Sequence, residues 1–248
     1  MSEANMQAGA LRVVGVGPGD PELMTLKAAR ILAGVDVVAF FAKRGRPGHA
    51  RTIVDGALNP AAEQLRLEYP FTTEVALDDP RYLAEMGEFY ESCAEMLAER
   101  LDRGCEVALL SEGDPFFYGS SMYLFDRLAR DYRNEVVPGV TGMSGCWAQA
   151  RLPICHGDDV LCVLPGTLDE AALVERLRSV DAAVIMKVGR NLPKIRRALA
   201  TVGLLARAVL VERGTMGDDE RITPLAEMND GKAPYFSLVL VPGRQRAR

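Results

Sequence analysis

The chain has 248 residues, of which 48% are hydrophobic, and 29 lysines and arginines against 34 aspartates and glutamates leave a net charge of −5. This composition is typical of a globular protein built as one large domain or two smaller ones. The acidic balance, with an isoelectric point of about 5.3, argues against a general polyanion-binding surface and so against duplex nucleic acid as a partner, and it leaves a local basic groove as the alternative.

Cysteine usage and hydropathy indicate the compartment. The five cysteines are odd in number and lack CxxC spacing, which predicts neither a disulfide framework nor a zinc site and fits a reducing environment. No apolar run reaches the roughly 18 residues of a membrane span, and the N-terminal sequence lacks the pattern of an export signal. We therefore expect a cytoplasmic protein with no membrane partner.

Apolar runs rich in β-branched residues alternate with segments of helical period, which is typical of α/β layers with parallel strands. The predicted strands are Leu11–Val16, Val35–Phe41, Glu106–Leu110, Glu135–Val137, Val160–Leu164, Ala182–Val188, Ala208–Glu212 and Phe236–Val241. The predicted helices are Thr25–Leu32, Arg81–Leu101, Ser121–Arg130, Thr141–Gln149, Leu168–Leu177 and Leu192–Ala200. A Pro-Gly pair after Val137 indicates a boundary between two α/β domains, residues 9–137 and 138–245.

The first motif is the glycine-rich turn Gly15-Val16-Gly17-Pro18-Gly19, which follows the first predicted strand. Glycine allows positive φ and close approach of the backbone to a ligand, and α/β sheets bind ligands at the carboxyl ends of their strands. We interpret this turn as a ligand-binding loop. A tight turn without a ligand is the alternative.

The same turn does not match a dinucleotide fingerprint, which needs G-x-G-x-x-G opening directly into a helix. The third glycine comes one residue early, Pro18 removes a backbone donor, and Asp20 would repel a phosphate. Asp36 opens the second predicted strand, whereas a ribose-binding acid should close it. These features argue against an NAD site.

Two further motifs also follow predicted strands. In the segment 109–119, Gly113 and Asp114 suit hydrogen bonding to a polar ligand, with Phe116 and Phe117 as an apolar wall. Asp114 followed by Pro115 is also typical of a helix N-cap with proline at the first helical position. In the segment 138–146, free amides and the Thr141 hydroxyl suit a ligand carboxylate, with close helix packing as the alternative.

Taken together, the segments GVGPGDPEL, GDPFFYGS and PGVTGMSG resemble the S-adenosylmethionine-dependent tetrapyrrole methyltransferases. The resemblance covers nearly the whole chain in order and includes the segments 184–187, 211–215 and 236–239. It implies a fold of two αβα domains, with S-adenosylmethionine in the cleft between them, and a homodimer. The cofactor-binding residues that the resemblance implies are Pro18, Gly113, Asp114, Pro115, Phe116, Phe117, Thr141, Gly142, Met186, Lys187, Arg213, Gly214 and Leu238.

Within the family, the segment 40–54 is similar to the branch that methylates precorrin-2 at C20. This similarity implies a small-molecule tetrapyrrole substrate, conversion of precorrin-2 to precorrin-3A in cobalamin biosynthesis, and release of S-adenosylhomocysteine. Three alternatives stay open: the cobalt-factor II counterpart of the anaerobic pathway, an NAD(P)-dependent oxidoreductase, and a non-catalytic tetrapyrrole carrier.

A basic segment between the second strand and the next helix matches the many carboxylates of the implied substrate. Lys43, Arg44, Arg46, His49 and Arg51 lie within this short stretch, with Arg46 and Arg51 as the first candidates because guanidinium groups pair with carboxylates bidentately. A solvated surface loop is the alternative. The predicted substrate-binding residues are Lys43, Arg46, His49, Arg51 and Tyr118.

The catalytic residue stays unassigned at this stage. Methyl transfer from a sulfonium chiefly needs alignment, and a base that removes the C20 proton could be His49, Glu112, Asp114, Tyr118 or water. With only His49 and His156 in the chain, a histidine-rich metal site is excluded.

Overall fold

Two five-stranded sheets with helices packed on them form the framework of the computed structural model, which describes residues 8–71, 80–228 and 231–243. The contacts divide the chain into two compact units, and the first gives way to the second between Thr141 and Gly142. The predicted domains 9–137 and 138–245 stay predictions, and residues 244 and 245 of the second lie outside the described residues.

The first unit is built from alternating strands and helices. Its elements are β1 (Ala10–Gly15), α1 (Leu26–Leu32), β2 (Val37–Lys43), α2 (His49–Ile53), β3 (Glu63–Tyr69), α3 (Pro80–Asp102), β4 (Val107–Ser111), α4 (Ser121–Leu128) and β5 (Arg133–Val137). The strands form a parallel sheet in the order β3-β2-β4-β1-β5. Alternate side chains face opposite layers, so Leu11 and Val13 pack with α3 and α4, whereas Val14 and Val16 pack with α1 and α2.

The second unit has a mixed sheet. Its elements are α5 (Gly142–Gln149), β6 (Leu161–Pro165), α6 (Glu170–Leu177), β7 (Ala182–Met186), α7 (Leu192–Thr201), β8 (Val209–Glu212), β9 (Arg221–Pro224) and β10 (Ser237–Val241). The strand order is β6-β7-β10-β8-β9, and β10 runs antiparallel to both β7 and β8. The helices α6 and α7 pack on one face of this sheet, and α5 packs on the other.

The predicted α/β fold class is confirmed, and each predicted strand and helix is present with its ends within two residues of the expected positions. The expectation of parallel strands throughout is wrong for the second sheet, where β9 and β10 are antiparallel to their neighbours. The prediction failed because β10 is buried on both faces. A strand in that position has an apolar sequence whether it is parallel or antiparallel to its neighbours. The strands β3 and β9 and the helix α2 were not predicted.

Within the described part of the chain, no helix combines the length and the apolar character that crossing a membrane requires.

Candidate functional site

The three glycine motifs meet at one edge of the first sheet, because β4, β1 and β5 are neighbours in it. All three strands are parallel, so the turns that follow them lie at the same carboxyl edge. The chain leaves β1 and β4 in opposite directions, toward β2 and β5, and helices cover opposite faces of the sheet. This arrangement is the switch point at which open α/β sheets bind ligands.

The backbones of the three turns are in direct contact. Gly113 donates its N–H to the carbonyl of Gly17 over 2.8 Å, which joins the first two turns. A Cβ on Gly139 would lie 2.0 Å from the carbonyl oxygen of Gly113, and a Cβ on Gly15 would lie 2.7 Å from the same oxygen. Side chains are therefore excluded at these positions, and backbone groups form this edge of the sheet.

Asp114 connects the second turn to the third. One of its carboxylate oxygens accepts a hydrogen bond from the N–H of Phe116 over 2.9 Å, and the other accepts one from the N–H of Gly139 over 3.1 Å. The helix that a cap at Asp114 would start is not formed, because α4 begins only at Ser121. The carboxylate instead holds two loops that are far apart in sequence.

We expect the substitution Asp114→Asn to lower the free energy of unfolding by about 1–3 kcal/mol, since the new amide nitrogen cannot accept a hydrogen bond and leaves one partly buried N–H unpaired. Urea unfolding would measure the loss. The matched control is Asp20→Asn, because among the described residues the Asp20 carboxylate accepts a single hydrogen bond, from the N–H of Glu22, and asparagine can replace it. Equal midpoints for the two variants would contradict the bridging role of Asp114.

The aromatic residues of the second turn lie partly in solvent. Phe116 is 47% exposed and Tyr118 is 44% exposed, and Phe116 packs edge-on against Phe125 with the ring centres 4.9 Å apart. Just beyond them, the hydroxyl groups of Ser120 and Tyr69 are hydrogen-bonded over 2.7 Å, which fixes the end of this turn to β3. The turn thus presents an aromatic surface from a supported backbone.

The basic segment after β2 begins with a tight turn. Arg46 donates its N–H to the carbonyl of Lys43 over 3.0 Å, and Gly45 has a φ of 71°, which a type II turn requires at its third position. The guanidinium of Arg66 donates to the carbonyl oxygens of both Lys43 and Arg46, over 2.9 and 2.7 Å. Arg66, which the sequence analysis did not identify, therefore supports this turn from β3.

Arg46 and Arg51, the two leading candidates for substrate binding, differ in their contacts. The Arg51 side chain donates to Gln64 over 2.7 Å and forms an ion pair with Asp55 at 2.8 Å. No hydrogen bond or ion pair of the Arg46 side chain occurs among the described residues, and that residue is exposed. Arg46 is therefore the more available of the two guanidinium groups.

Two ionisable groups near α2 are shifted toward their neutral forms. Desolvation lowers the pKa of His49, so this imidazole is neutral at pH 7. Desolvation also raises the pKa of Glu112, although the N–H of Ala50 donates to its carboxylate over 3.1 Å and opposes the shift. Glu112 thereby joins the turn after β4 to the first turn of α2.

The predicted residues of the second unit lie at the end of β7, directly after β8, in β10 and, for Gly142, at the start of α5. Met186 and Leu238 belong to one apolar cluster with Val211, and Leu238 lies opposite Val211 on the paired strands β10 and β8. A Cβ on Gly214 would lie 2.6 Å from the sulfur of Cys146, which explains the glycine there. A Cβ on Gly142 would meet no described atom within 4 Å, so larger residues fit at that position.

Unusual backbone conformations coincide with the predicted site. Among the described non-glycine residues, five have positive φ, and three of them are predicted site residues: Tyr118 at 58°, Lys187 at 55° and Arg213 at 50°. Residues held in such conformations cost free energy and occur preferentially at functional sites. The coincidence supports the predicted site, although the sequence alone gives no signal for backbone strain.

Comparison with known proteins identifies the family. A family model of the Tetrapyrrole (Corrin/Porphyrin) Methylases matches residues 10–229, which is most of the chain. The chain belongs to this family. The family prediction made from the motifs is thus confirmed.

Two curated relatives and two solved structures show the extent of the similarity. This tetrapyrrole methylase is 58% identical to the precorrin-2 C(20)-methyltransferase of Sinorhizobium sp over 95% of this chain and 96% of the relative. It is 30% identical to the cobalt-precorrin-2 C(20)-methyltransferase of Salmonella typhimurium, over 94% and 96% of the two chains.

The solved structures show the fold. The cobalt precorrin-4 methyltransferase CbiF matches with a TM-score of 0.74 at 21% identity, over 98% of this chain and 97% of that one. A uroporphyrin-III C-methyltransferase of Thermus thermophilus, complexed with S-adenosyl homocysteine, matches with a TM-score of 0.64 at 22% identity, over 94% and 92%. The predicted tetrapyrrole methylase fold is confirmed.

Proposed function

We propose that this methyltransferase transfers a methyl group from S-adenosylmethionine to C20 of precorrin-2, giving precorrin-3A and S-adenosylhomocysteine in cobalamin biosynthesis. The observation that carries the proposal is the 58% identity, over 95% of the chain, with a relative named for this reaction. The chain is only 30% identical to the relative named for the cobalt-containing substrate. We therefore favour metal-free precorrin-2 as the substrate. The free cysteines are consistent with a reaction in the cytoplasm.

The residues of the first unit fit a nucleoside-containing cofactor. S-adenosylmethionine supplies an activated methyl group on a sulfonium sulfur. Pro18, Gly113 and Thr141 lie on turns that follow neighbouring strands, where backbone amides and carbonyls can contact a ligand closely. Asp114 holds two of these turns, and Phe116 offers an apolar face.

We retain the full set of cofactor residues that the motifs implied as part of the proposal. In the first unit these are Pro18, Gly113, Asp114, Pro115, Phe116, Phe117 and Thr141. In the second unit they are Gly142, Met186, Lys187, Arg213, Gly214 and Leu238. Contact with these residues chiefly aligns the methyl group with the attacking carbon. Because the methyl group is already activated, this alignment is the main contribution of the protein to the reaction.

We assign the substrate carboxylates to the basic turn, which residues 43–46 form directly after β2. Lys43 and Arg46 supply positive charge there, and Arg51, His49 and Tyr118 complete the proposed set. Arg51 would have to exchange its contacts with Asp55 and Gln64 for a substrate carboxylate, so its contribution is expected to be smaller than that of Arg46.

Of the groups considered as the base that accepts the C20 proton, His49 is the one we favour. Desolvation lowers the pKa of His49, so its imidazole is neutral at pH 7 and one ring nitrogen is unprotonated and able to accept a proton. Asp114 is the least suited of the candidates, because both of its carboxylate oxygens already accept backbone hydrogen bonds.

One assay tests the proposed reaction. The protein is incubated with methyl-labelled S-adenosylmethionine and either precorrin-2 or cobalt-factor II, and the product mass and the position of the methyl group are determined. We expect a single methyl group at C20 and faster turnover of precorrin-2. Binding of both ligands without turnover would indicate a carrier, and thermal protection by a nicotinamide cofactor but not by S-adenosylhomocysteine would indicate an oxidoreductase.

We also propose a homodimer. Tyr118 and Tyr123 are 44% and 49% exposed, Met122 and Phe125 are partly exposed, and we propose that a second copy of the chain covers these side chains. Light scattering at micromolar concentration is expected to give twice the chain mass of 27.0 kDa. A mass of one chain would refute the dimer. The variant Tyr123→Asp should give a lower mass than the wild type, closer to that of one chain.

A further inference from the structure

Arg66 holds both ends of the basic turn with a single nitrogen atom. Its Nη2 donates to the carbonyl oxygen of Lys43 over 2.9 Å and to the carbonyl oxygen of Arg46 over 2.7 Å. These are the first and fourth residues of the turn, which the N–H of Arg46 closes on the Lys43 carbonyl over 3.0 Å. The two hydrogens of one guanidinium nitrogen therefore fix the two carbonyl groups relative to each other.

The strand that carries Arg66 lies at the edge of the first sheet and pairs with β2, so that Arg66 stands opposite Phe40. Because side chains alternate along a strand, Gln64 and Arg66 face the same side of the sheet. The side-chain oxygen of Gln64 accepts a hydrogen bond from the Nε of Arg51 over 2.7 Å. Two alternate residues of β3 thus hold the two ends of the basic segment.

The chain on either side of Arg46 is fixed to β2 as well. Gly45 has a φ of 71°, and a Cβ on Gly48 would lie 2.6 Å from the ring of Phe40 and 2.6 Å from the carbonyl oxygen of Phe41. The chain therefore returns directly onto β2 after the turn. Loss of the Arg66 guanidinium would release the turn from β3 and leave its connection to β2 in place.

The charge of Arg66 is informative as well. A neutral side chain could donate to carbonyl oxygens, yet this chain places a further cation beside Lys43, Arg44 and Arg46. Cations held close together repel one another. Glu68, whose Oε1 lies 2.8 Å from the Nε of Arg66, offsets one of these charges. The remaining positive potential favours a ligand that carries several carboxylates.

We propose that Arg66 is a positioning residue for substrate binding, because it holds the basic turn in the conformation from which Arg46 pairs with a substrate carboxylate. The inference rests on the proposed function, since it takes the carboxylate-rich tetrapyrrole as the substrate. Arg66 acts through the turn and need not contact the substrate itself. A turn that is ordered before the substrate arrives loses less conformational freedom on binding, which strengthens the binding.

The test uses Arg66→Met, which keeps the apolar part of the side chain and removes the guanidinium. With precorrin-2 as the substrate, KM should rise about three- to tenfold, because the turn must then be ordered when the substrate binds. The value of kcat should change little, since a contact with a carboxylate that takes no part in the reaction is the same in the ground state and the transition state. Calorimetry should give the wild-type affinity for S-adenosylhomocysteine, which verifies that the variant is folded.

A double-mutant cycle separates positioning from other effects of Arg66. If Arg66 acts through Arg46, adding Arg66→Met to Arg46→Ala should raise KM by no more than about twofold beyond the value for Arg46→Ala alone. If Arg66 contacted the substrate, or acted only through its charge, the two increases in KM would multiply.

Hydrogen exchange tests the turn in the ligand-free protein. The Arg46 amide is hydrogen-bonded within the turn, and it should exchange faster in Arg66→Met, because a turn released from β3 opens more often. The matched control is Arg100→Met, which removes the same charge and a 2.8 Å ion pair with Glu63 at the other end of β3. This control should leave KM and the exchange rate of the Arg46 amide unchanged.

Three results would overturn the proposal: a wild-type KM in Arg66→Met, a KM in the double variant that reflects the product of the two single increases, or an Arg46 amide that exchanges no faster in Arg66→Met than in Arg100→Met. Loss of S-adenosylhomocysteine binding in Arg66→Met would also overturn it, because the effect would then concern the whole fold. Failure of the wild type to methylate precorrin-2 would instead refute the proposed function, and the exchange rates would still test whether Arg66 holds the turn.

Discussion

Replacement of Gly139 by alanine is expected to cost about 3 kcal/mol of stability and to weaken S-adenosylhomocysteine binding about tenfold or more. The added Cβ would lie 2.0 Å from the carbonyl oxygen of Gly113 and 3.0 Å from the carbonyl carbon of Gly15. Both obstacles are backbone atoms, so no side chain can rotate away to relieve the overlap. The turns after β1 and β4 would have to move apart, and these are the turns proposed to contact the cofactor.

Urea unfolding and calorimetry measure the two effects of Gly139→Ala. The matched control is Gly87→Ala, the same substitution inside α3, where the new Cβ would meet no described atom within 4 Å. Alanine is there expected to raise the stability by about 0.5–1 kcal/mol, since it favours helix more than glycine does. If Gly139→Ala behaved like this control, the close contact of the three turns would have no energetic importance.

The strands near the site could be predicted because each is a continuous buried apolar run. β1 and β4 are buried almost throughout, and the sequence marks their ends with glycine. β3 was missed because it lies at the sheet edge and only Leu65 and Leu67 of its residues are buried, so charged residues interrupt the apolar signal. β9 has four residues at the edge of the other sheet, which is too short for a periodic pattern.

The direction of β10 could not be predicted, for a different reason. Its five residues are all buried, and burial on both faces makes parallel and antiparallel strands alike in sequence. Direction depends on the path of the chain between β9 and β10, and hydrophobic periodicity carries no information about that path.

The glycine turns were recognisable because glycine is needed where backbones touch, whereas the residues that support the turns were not. Arg66 acts across the pairing of β2 with β3, which sets Phe40 opposite Arg66 and brings the guanidinium to the carbonyl oxygens of the basic turn. Asp114 reaches an amide 25 residues away. Contacts of this kind depend on strand order and register, which emerge only when the sheet has formed.

The basic turn carries the second large expected effect. Arg46→Ala is expected to raise the substrate KM about tenfold or more, because a charge-assisted hydrogen bond contributes roughly 1.5–3 kcal/mol. Arg46 is exposed and its guanidinium makes no bond within the described residues, so it can pair with a substrate carboxylate without losing another contact. The hydrogen bond from Arg66 to the carbonyl oxygen of Arg46 and the positive φ of Gly45 fix the backbone from which the Arg46 side chain extends. The affinity for S-adenosylhomocysteine should stay nearly constant, since other turns are proposed to bind the cofactor.

Steady-state kinetics on Arg46→Ala at two ionic strengths would measure the effect, which should shrink as salt rises because the residue is open to solvent. The matched control is Arg30→Ala, which removes the same charge from an exposed position in the last turn of α1, the end of that helix away from the β1 turn. It changes the net charge equally and should leave KM unaltered. If the basic turn contacts the substrate directly, KM should depend on which arginine is removed. An unchanged KM in Arg46→Ala, a loss confined to cofactor affinity, or an equal rise of KM in Arg30→Ala would indicate instead that the basic turn is a solvated loop.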